Sequence, residues 1–574
     1  MKPAVASCLV GLLTPALCNV PSAHAASTKE IVAAYSRAAV EGGQAVGVGV
    51  AVIYGPAAPR LFTFGRSFVG SGAATPSRPF QLDDLFEIAS VTKVFTTNLL
   101  GQEVHRKRLA LLDPLSNFST QLGTLKPRTG QVTLQELADF TGGFPTYAPM
   151  CNSKRVPGCL PSERPPVDQY TARDFARFFR HTTPQNFSVS PPVPATTLPA
   201  PYNYSDYAIG LLGLLLAARD QPLGNRDLNR WYNKVRHDIL VPLGMLDTYL
   251  YVPAKLEPRR VGGYDQAIAR ARVSGGQVTG ITLINSGGRY TQAPRVRLVG
   301  GGGTGARATA TLDGETVSQI TVTSGGAGYL TPATVVFTNG GSTTEAEAQV
   351  IVENGQVVAI SVNAGGAGYQ RAPTVTIGGG RAASGRDATA TAHLVNGRVA
   401  YLTVDDPGEA YVPPLSVVVE PGGPVEFGVP IWAPAGALTT TLSDFAKFAR
   451  AALLSHRLGF LIPAPIAHGF RIAQTPYACV GPDPAIETCP AGAMRSALAW
   501  AVQPADTANG VPAVISKNGG LQGFSTLVAL MPRAGIAVVV MANTSGPPGP
   551  ATTIANDILY ALFAACQSPE GCPP

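Results

Sequence analysis

The chain has 574 residues, of which 45% are hydrophobic and 14% charged, with a formal net charge of +7. Such a length can bury a large core and should hold more than one domain. So small and scattered an excess of positive charge excludes nucleic acid as the expected partner, and Arg106-Lys107-Arg108 reads as a solvated helix face. At the amino end, Lys2, an apolar stretch from Ala4 to Leu17 and the small-residue site Ala23-His24-Ala25 predict a signal peptide over 1–25, with the mature chain beginning near Ala26. Leu17 before Cys18 argues against a lipid-anchor site there, and no later apolar run, Leu211 to Ala217 included, reaches the length of a membrane span. The expectation is a periplasmic or secreted protein with no membrane span once the signal is removed.

Three short motifs then follow in order: Ser90-Val91-Thr92-Lys93, Tyr204-Ser205-Asp206 and Lys517-Asn518-Gly519-Gly520. A serine hydroxyl is a poor nucleophile at neutral pH and needs a base within hydrogen-bond reach. Ser90 and Lys93 are three apart, which on a helix sets both side chains on one face. Ser90 is expected at the amino end of a helix running on through Val94, Phe95, Leu99 and Leu100, where free N–H groups favour developing negative charge. Other chemistries lack support. There is no G-x-S-x-G elbow, and no phosphate-binding glycine pattern opens a helix. The seven histidines (24, 105, 181, 237, 393, 456 and 468) show no metal-ligand spacing. No metal and no cofactor is expected.

The stretch Phe86-Glu87-Ile88-Ala89-Ser90-Val91-Thr92-Lys93 resembles the nucleophile region of the class C beta-lactamase, DD-peptidase and family VIII esterase group of penicillin-recognising serine hydrolases. Leu112-Asp113-Pro114, the segment from Leu137 to Pro145 in place of the group's H-T-S-G-L-P turn, Pro242-Leu243-Gly244-Met245 and Met541-Ala542-Asn543 are similar too. The resemblance implies an α/β fold with an antiparallel sheet flanked by helices and a helical subdomain. It makes Ser90 the acylated nucleophile, Lys93 its proton partner and Tyr204 a base toward Ser90 and acid toward the leaving group. Lys517 would hold Tyr204 or a substrate carboxylate, and the N–H groups of Ser90 and Gly520 would form the oxyanion hole. Gly519 and Gly520 would let substrate lie close to the strand. Two positions depart from the pattern: Asp206 stands where the group has asparagine, and Asn518 where it has threonine. An acid in place of an amide loses an N–H donor and adds charge.

Composition shifts after Gly263-Tyr264, and from about 270 to 425 the chain repeats with a period near forty. Tyr290, Tyr329, Tyr369 and Tyr411 mark the repeats, with prolines at 294, 332, 373 and 413. Alternating runs such as Ala306, Ala308, Ala310, Leu312 and Ala388, Ala390, Ala392, Leu394 predict half-buried strands joined by glycine-rich turns. This resembles the Gly-Tyr-Pro repeats of bacterial surface and phage tail proteins, read as a spacer or as an arm for a glycan or protein ligand. Beyond it, Ser443 is placed as the cap of a helix carrying Phe445, Phe448, Ala449 and Leu453. Val46 to Ile53, Val514 to Lys517, Thr526 to Met531 and Ile536 to Met541 are expected strands. The division is therefore signal 1–25, hydrolase 26–266, all-β repeat insertion 267–425 and hydrolase 426–574. Six cysteines remain after the signal in three close sets: Cys151 and Cys159, Cys479 and Cys489, Cys566 and Cys572. In an exported chain these read as local disulfides, with free thiols and other pairings left open.

The function expected from these residues is acyl-serine hydrolysis, with D-alanyl peptides of peptidoglycan as the leading substrate, a DD-carboxypeptidase or endopeptidase. A class C-like beta-lactamase and a family VIII-like carboxylesterase, acting on small acyl substrates, are the alternatives. A cell-wall-binding surface protein with a degenerate hydrolase is the alternative of another class.

Overall fold

The structure is a computed structural model describing residues 26–41, 44–68, 78–146, 172–218, 222–224, 226–265, 433–521, 523–545, 549–568 and 571–573, with mainly the strands between 268 and 419. The predicted signal, the pair Cys151 and Cys159, the four landmark tyrosines and the junctions expected near 267 and 425 lie outside the described residues.

An antiparallel sheet of nine strands runs through the hydrolase part. Its order is Ala478–Cys479, Arg495–Ser496, Ala501–Gln503, Val514–Leu521, Phe524–Met531, Ile536–Ala542, Gly47–Tyr54, Arg60–Phe68 and Arg78–Pro79. The amino-terminal strand Gly47–Tyr54 thus lies beside Ile536–Ala542, with Val50 opposite Val540. These central strands are apolar at nearly every position because both sheet faces are covered. Val48, Val50, Val52, Val538 and Val540 pack toward Val32 of the helix Thr28–Glu41 and Ile554, Ile558 and Leu562 of the helix Pro550–Cys566. Ala51, Ile53, Val528, Val539 and Met541 face the other way, into a larger core with Phe445 and Phe448 of the helix Leu442–Leu454.

The second body of that core is helical. Its axis is the helix Thr92–His105, buried at every position from Thr92 to Glu103. Phe95 stacks on Phe448 with ring centroids 3.9 Å apart, tying this helix to the layer beneath the sheet. Ala172–His181, Asp206–Ala218 and Arg226–Val235 complete the subdomain. Mixed helices and an antiparallel sheet are the α/β architecture expected.

The strands between 268 and 419 are hairpins: Ile268–Ser274 with Gln277–Asn285, Thr304–Asp313 with Thr316–Ala327, Glu347–Glu353 with Gln356–Ala364, and Thr389–Val395 with Arg398–Asp406. Each carries two register shifts, at Ile268/Ala269 and Arg272/Val273 in the first and at corresponding positions in the others. The two shifts fall four residues apart in every one of these hairpins, and a bulge bends and twists the strand that carries it. The first turn, Gly275-Gly276, has both residues at positive φ, as a two-residue hairpin requires. Ala271, Val278, Val296, Ala310 and Ile320 form a small core of their own, with Ala306, Ala308 and Leu312 against it. Alanines at alternate positions keep that core thin.

The start of Leu442–Leu454 differs from expectation. Its N-cap is Thr441, whose hydroxyl accepts from the Asp444 N–H at 3.2 Å, and Ser443 lies inside the first turn. Both residues have capping chemistry, and only the backbone decides between them: Thr441 is extended at ψ 161°. Thr441→Ala should lower unfolding stability by about 1 kcal/mol and Ser443→Ala by less than about 0.5 kcal/mol, measured by chemical denaturation.

Candidate active site

Ser90 sits in a single 3-10 turn, Ala89–Val91, that leads directly into the helix Thr92–His105. Ala89, just before it, has φ 49°, a left-handed conformation that alanine rarely adopts. The turn is held from two sides: the Ile88 N–H donates to Leu438 O at 3.0 Å, and Ile88 O accepts from the Thr526 hydroxyl at 3.1 Å.

Lys93 reaches back along its helix, its Nζ 2.9 Å from Ser90 Oγ. The same nitrogen donates to Ala435 O at 2.7 Å and is ion-paired with Asp206. The side chain is completely buried. An ammonium has three N–H donors, and here three acceptors surround it. While it carries its proton, Lys93 gives a hydrogen bond to Ser90 and has no lone pair with which to take the serine's.

Asp206 opens the helix Asp206–Ala218, a favourable place for an acid against the helix dipole. The preceding Ser205 accepts from the Ala208 N–H at 3.0 Å and donates to Pro145 O at 2.7 Å, so it serves the helix start. Tyr204 projects between the two lysines. Its ring centroid is 4.9 Å from Lys93 Nζ and 4.6 Å from Lys517 Nζ, and its hydroxyl is 3.4 Å from Lys517 Nζ.

Lys517 stands on Val514–Leu521, itself nearly inaccessible at 5% exposure. Burial, and then the neighbouring Lys93 charge, push its ammonium down to about 7, against a smaller opposing pull from Asp206. Gly519, two residues on, faces the same way. A Cβ there would lie 2.3 Å from Ile88 O and 2.3 Å from Thr526 Oγ1, so the strand meets the Ser90 turn only because the side chain is missing. The expectation that Gly519 opens room for substrate is thereby replaced: the Ile88-Ala89 turn fills that room. Gly520 has nothing within 4 Å of its Cβ position, and Asn518 is exposed. Ala501–Gln503 pairs only with Val514 to Ser516, leaving the edge from Lys517 to Leu521 uncovered by it.

The three motifs therefore converge: Ser90, Lys93, Tyr204, Asp206 and Lys517 form one contiguous set, bordered by Gly519 and Gly520. A beta-lactamase family model matches residues 32–377 and 374–562, nearly the whole described chain. The chain belongs to the beta-lactamase family. Members of this family are serine hydrolases that act through an acyl-enzyme. Among similar proteins are beta-lactamases of Escherichia coli (strain K12), 28% identical over 39% of this chain and 48% of that protein, and of Pseudomonas fluorescens, 28% identical over 40% and 53%. A beta-lactamase of Lysobacter lactamgenus is 27% identical over 48% of this chain and 61% of that protein. The chain spans about half the length of the curated relatives it matches.

Two parts of this beta-lactamase-family site had no signal in the sequence. Ala435 contributes only its carbonyl, 342 residues from Lys93. The strained φ of Ala89 depends on the strand packed beside it. The pairs Cys479–Cys489 and Cys566–Cys572 form as expected, the first closing the loop before Arg495–Ser496.

Lys517 gives a pH signature. Its pKa is lower in the fold than in the unfolded chain, so the fold bears the full cost of the charge below pH 7 and is relieved as pH rises toward 10.5. Lys517→Met should raise unfolding stability by several kcal/mol at pH 6, with the gain shrinking between pH 7 and 10.5 in denaturation series.

Proposed function

We propose that the protein hydrolyses small carboxylic esters through an acyl-enzyme on Ser90. The observation that carries this reading is the buried Lys93 ammonium, which joins Ser90 Oγ to the Asp206 carboxylate. With Lys93 committed as donor, the Ser90 proton goes to Tyr204. Lys517, able to lose its proton near neutrality, takes the Tyr204 proton and leaves a phenolate. The phenolate removes the Ser90 proton as Oγ attacks the ester carbonyl, and the oxyanion lies against the N–H groups of Ser90 and Gly520. Tyr204 then gives the proton to the departing alkoxide. Water, deprotonated by the same tyrosine, attacks the acyl-serine and releases the acid.

The ester preference rests on Asp206. Both carboxylate oxygens accept and neither donates, so this side of the site offers nothing to an acylamido carbonyl. The second reading, D-alanyl peptides, is favoured by Lys517, a cation for a terminal carboxylate. A periplasmic or secreted site of action is supported by residues 1–25 and by the two disulfides, which persist in oxidising compartments. For the insertion we favour a spacer, with a glycan or protein ligand as the alternative.

The intact mass followed over time with p-nitrophenyl butyrate and with benzylpenicillin, beside Ser90→Ala, tests the reading. Ester turnover in the native chain that falls by roughly a thousandfold or more in Ser90→Ala is the expected result. A lasting penicillin adduct without ester turnover would make it a D-alanyl peptidase, and a rapidly clearing adduct with drug hydrolysis a beta-lactamase. Asp206→Asn restores an N–H donor and should raise kcat/KM on acylamido substrates about tenfold relative to butyrate.

A further inference from the structure

Behind the site lies a carboxyl that the chemistry above does not use. Asp139 is 1% exposed, and its Oδ1 accepts from the Thr141 N–H at 3.1 Å and the Thr141 hydroxyl at 2.6 Å. Gln135 Nε2 approaches Oδ2 at 3.4 Å. Between Asp139 and Thr141 stands Phe140, at φ 69°. A bulky residue keeps that conformation only where its surroundings over-determine it.

The turn so held carries the segment that presents Tyr204 and Asp206. Phe140 O accepts from the Asn203 N–H at 2.9 Å and Thr141 O from the Ala200 N–H at 2.8 Å. Phe144 O accepts from Asn203 Nδ2 at 2.7 Å, and Thr146 O from the Asp206 N–H at 2.9 Å. The Phe140 ring lies against the Tyr204 ring, centroids 4.8 Å apart. A shift of this turn moves both residues.

We propose that Asp139 is a positioning residue of the hydrolase: its ionised carboxylate, by clamping Thr141, fixes the Phe140 turn and through it Tyr204 and Asp206. This inference rests on the ester-hydrolase reading given above. The groups facing Asp139 are all donors, namely the Thr141 N–H, the Thr141 hydroxyl and the Gln135 amide. They suit a carboxylate, which accepts from all three at once, whereas beside the neutral acid the Thr141 hydroxyl must turn and accept, which undoes that arrangement. Among the described residues the titratable groups around it are Glu136, in the helical turn just before it, and Tyr202 and Tyr477 from the neighbouring segments, and these carry no positive charge. Burial without a balancing cation pushes the carboxyl up to about 7, so the clamp loosens as pH falls through neutrality.

The test is the pH profile of butyrate-ester hydrolysis by the full chain. Lys517 and Asp139 must both be deprotonated, so the acid limb of log kcat/KM should approach a slope of roughly two. Asp139→Asn keeps an acceptor for Thr141 but cannot ionise; its plateau kcat should stay within about tenfold of native and its acid limb fall to a slope of roughly one. Asp139→Leu, with no acceptor, should lose about 30-fold or more in kcat with KM within about threefold. An Asn variant that keeps the two-proton limb overturns the proposal even if the Leu variant fails to fold. Tyr204→Phe separates the two levels. If it loses turnover while the Asn variant's limb is unchanged, only the role of Asp139 falls; if it keeps full turnover, the reading of the site falls with it.

Discussion

A charge taken wholly out of water must be met by acceptors, and the site is organised around one such charge, the ammonium of Lys93. A buried ammonium left unpaired costs several kcal/mol or gives up its proton, so Lys93 keeps its charge where its N–H bonds are met together. The acceptors come from three places in the chain: Ser90 on the same turn, Asp206 at the start of a subdomain helix, and Ala435 in the 3-10 turn Ala433–Ala435. Satisfying one side chain therefore fixes the Ser90 turn, the start of the helix Asp206–Ala218 and the segment at Ala433–Ala435. Thr96 repeats the device one turn on, its hydroxyl donating to Pro434 O at 2.8 Å and accepting from Trp231 Nε1 at 3.1 Å.

That constraint also bears on the stretch between Asp265 and Ala433. On one side of it Tyr264–Asp265 pairs in parallel with Thr544–Ser545, and on the other lies the 3-10 turn Ala433–Ala435. Both flanks are held by the hydrolase itself, by strand pairing at one end and by Lys93 and Thr96 at the other. The entropy of closing a longer loop grows only slowly with its length, so what lies between the flanks is nearly free to lengthen. The repeats in turn bring their own hairpin pairing and their own small core.

What could be read from the residues, and what could not, follows the range of the interactions. The Ser90–Lys93 pair is a one-turn relation and is legible as a motif. The apolar strands from Gly47 to Tyr54 and from Phe524 to Ala542 are legible because burial on both faces writes itself into every position. The alternation in the repeats likewise announces hairpins. Their paired bulges are invisible, since a bulge belongs to two strands and no single strand's pattern shows it. The residues place the cap at Ser443 because its side chain suits the role, but the backbone is extended at Thr441, whose hydroxyl takes it instead. Gly519 reads as leaving room for substrate, but what lies against it is the chain's own Ile88-Ala89 turn. Ala435 and the Asp139 clamp had no local signal. One acts through a main-chain carbonyl, and the other is an ordinary acidic residue until the tertiary structure closes over it.

The two perturbed groups near the site also oppose each other in their effect on the fold. Asp139 has its carboxyl raised from 3.8 to about 7, so the unfolded chain sheds that proton first and stability falls as pH rises across this window. Lys517 has its ammonium lowered from 10.5 to about 7, so the folded chain sheds that proton first and stability rises with pH above 7. Below neutrality the lysine opposes folding, above it the carboxylate does, and around pH 7 both costs are near their full value. The fold thus gets least help from these two groups near pH 7, where both lie close to their own titration. A site placed at that minimum must be stabilised from elsewhere, and the large shared core beneath the sheet, with Phe95 stacked on Phe448 and the ammonium of Lys93 fully met, is where that stabilisation lies.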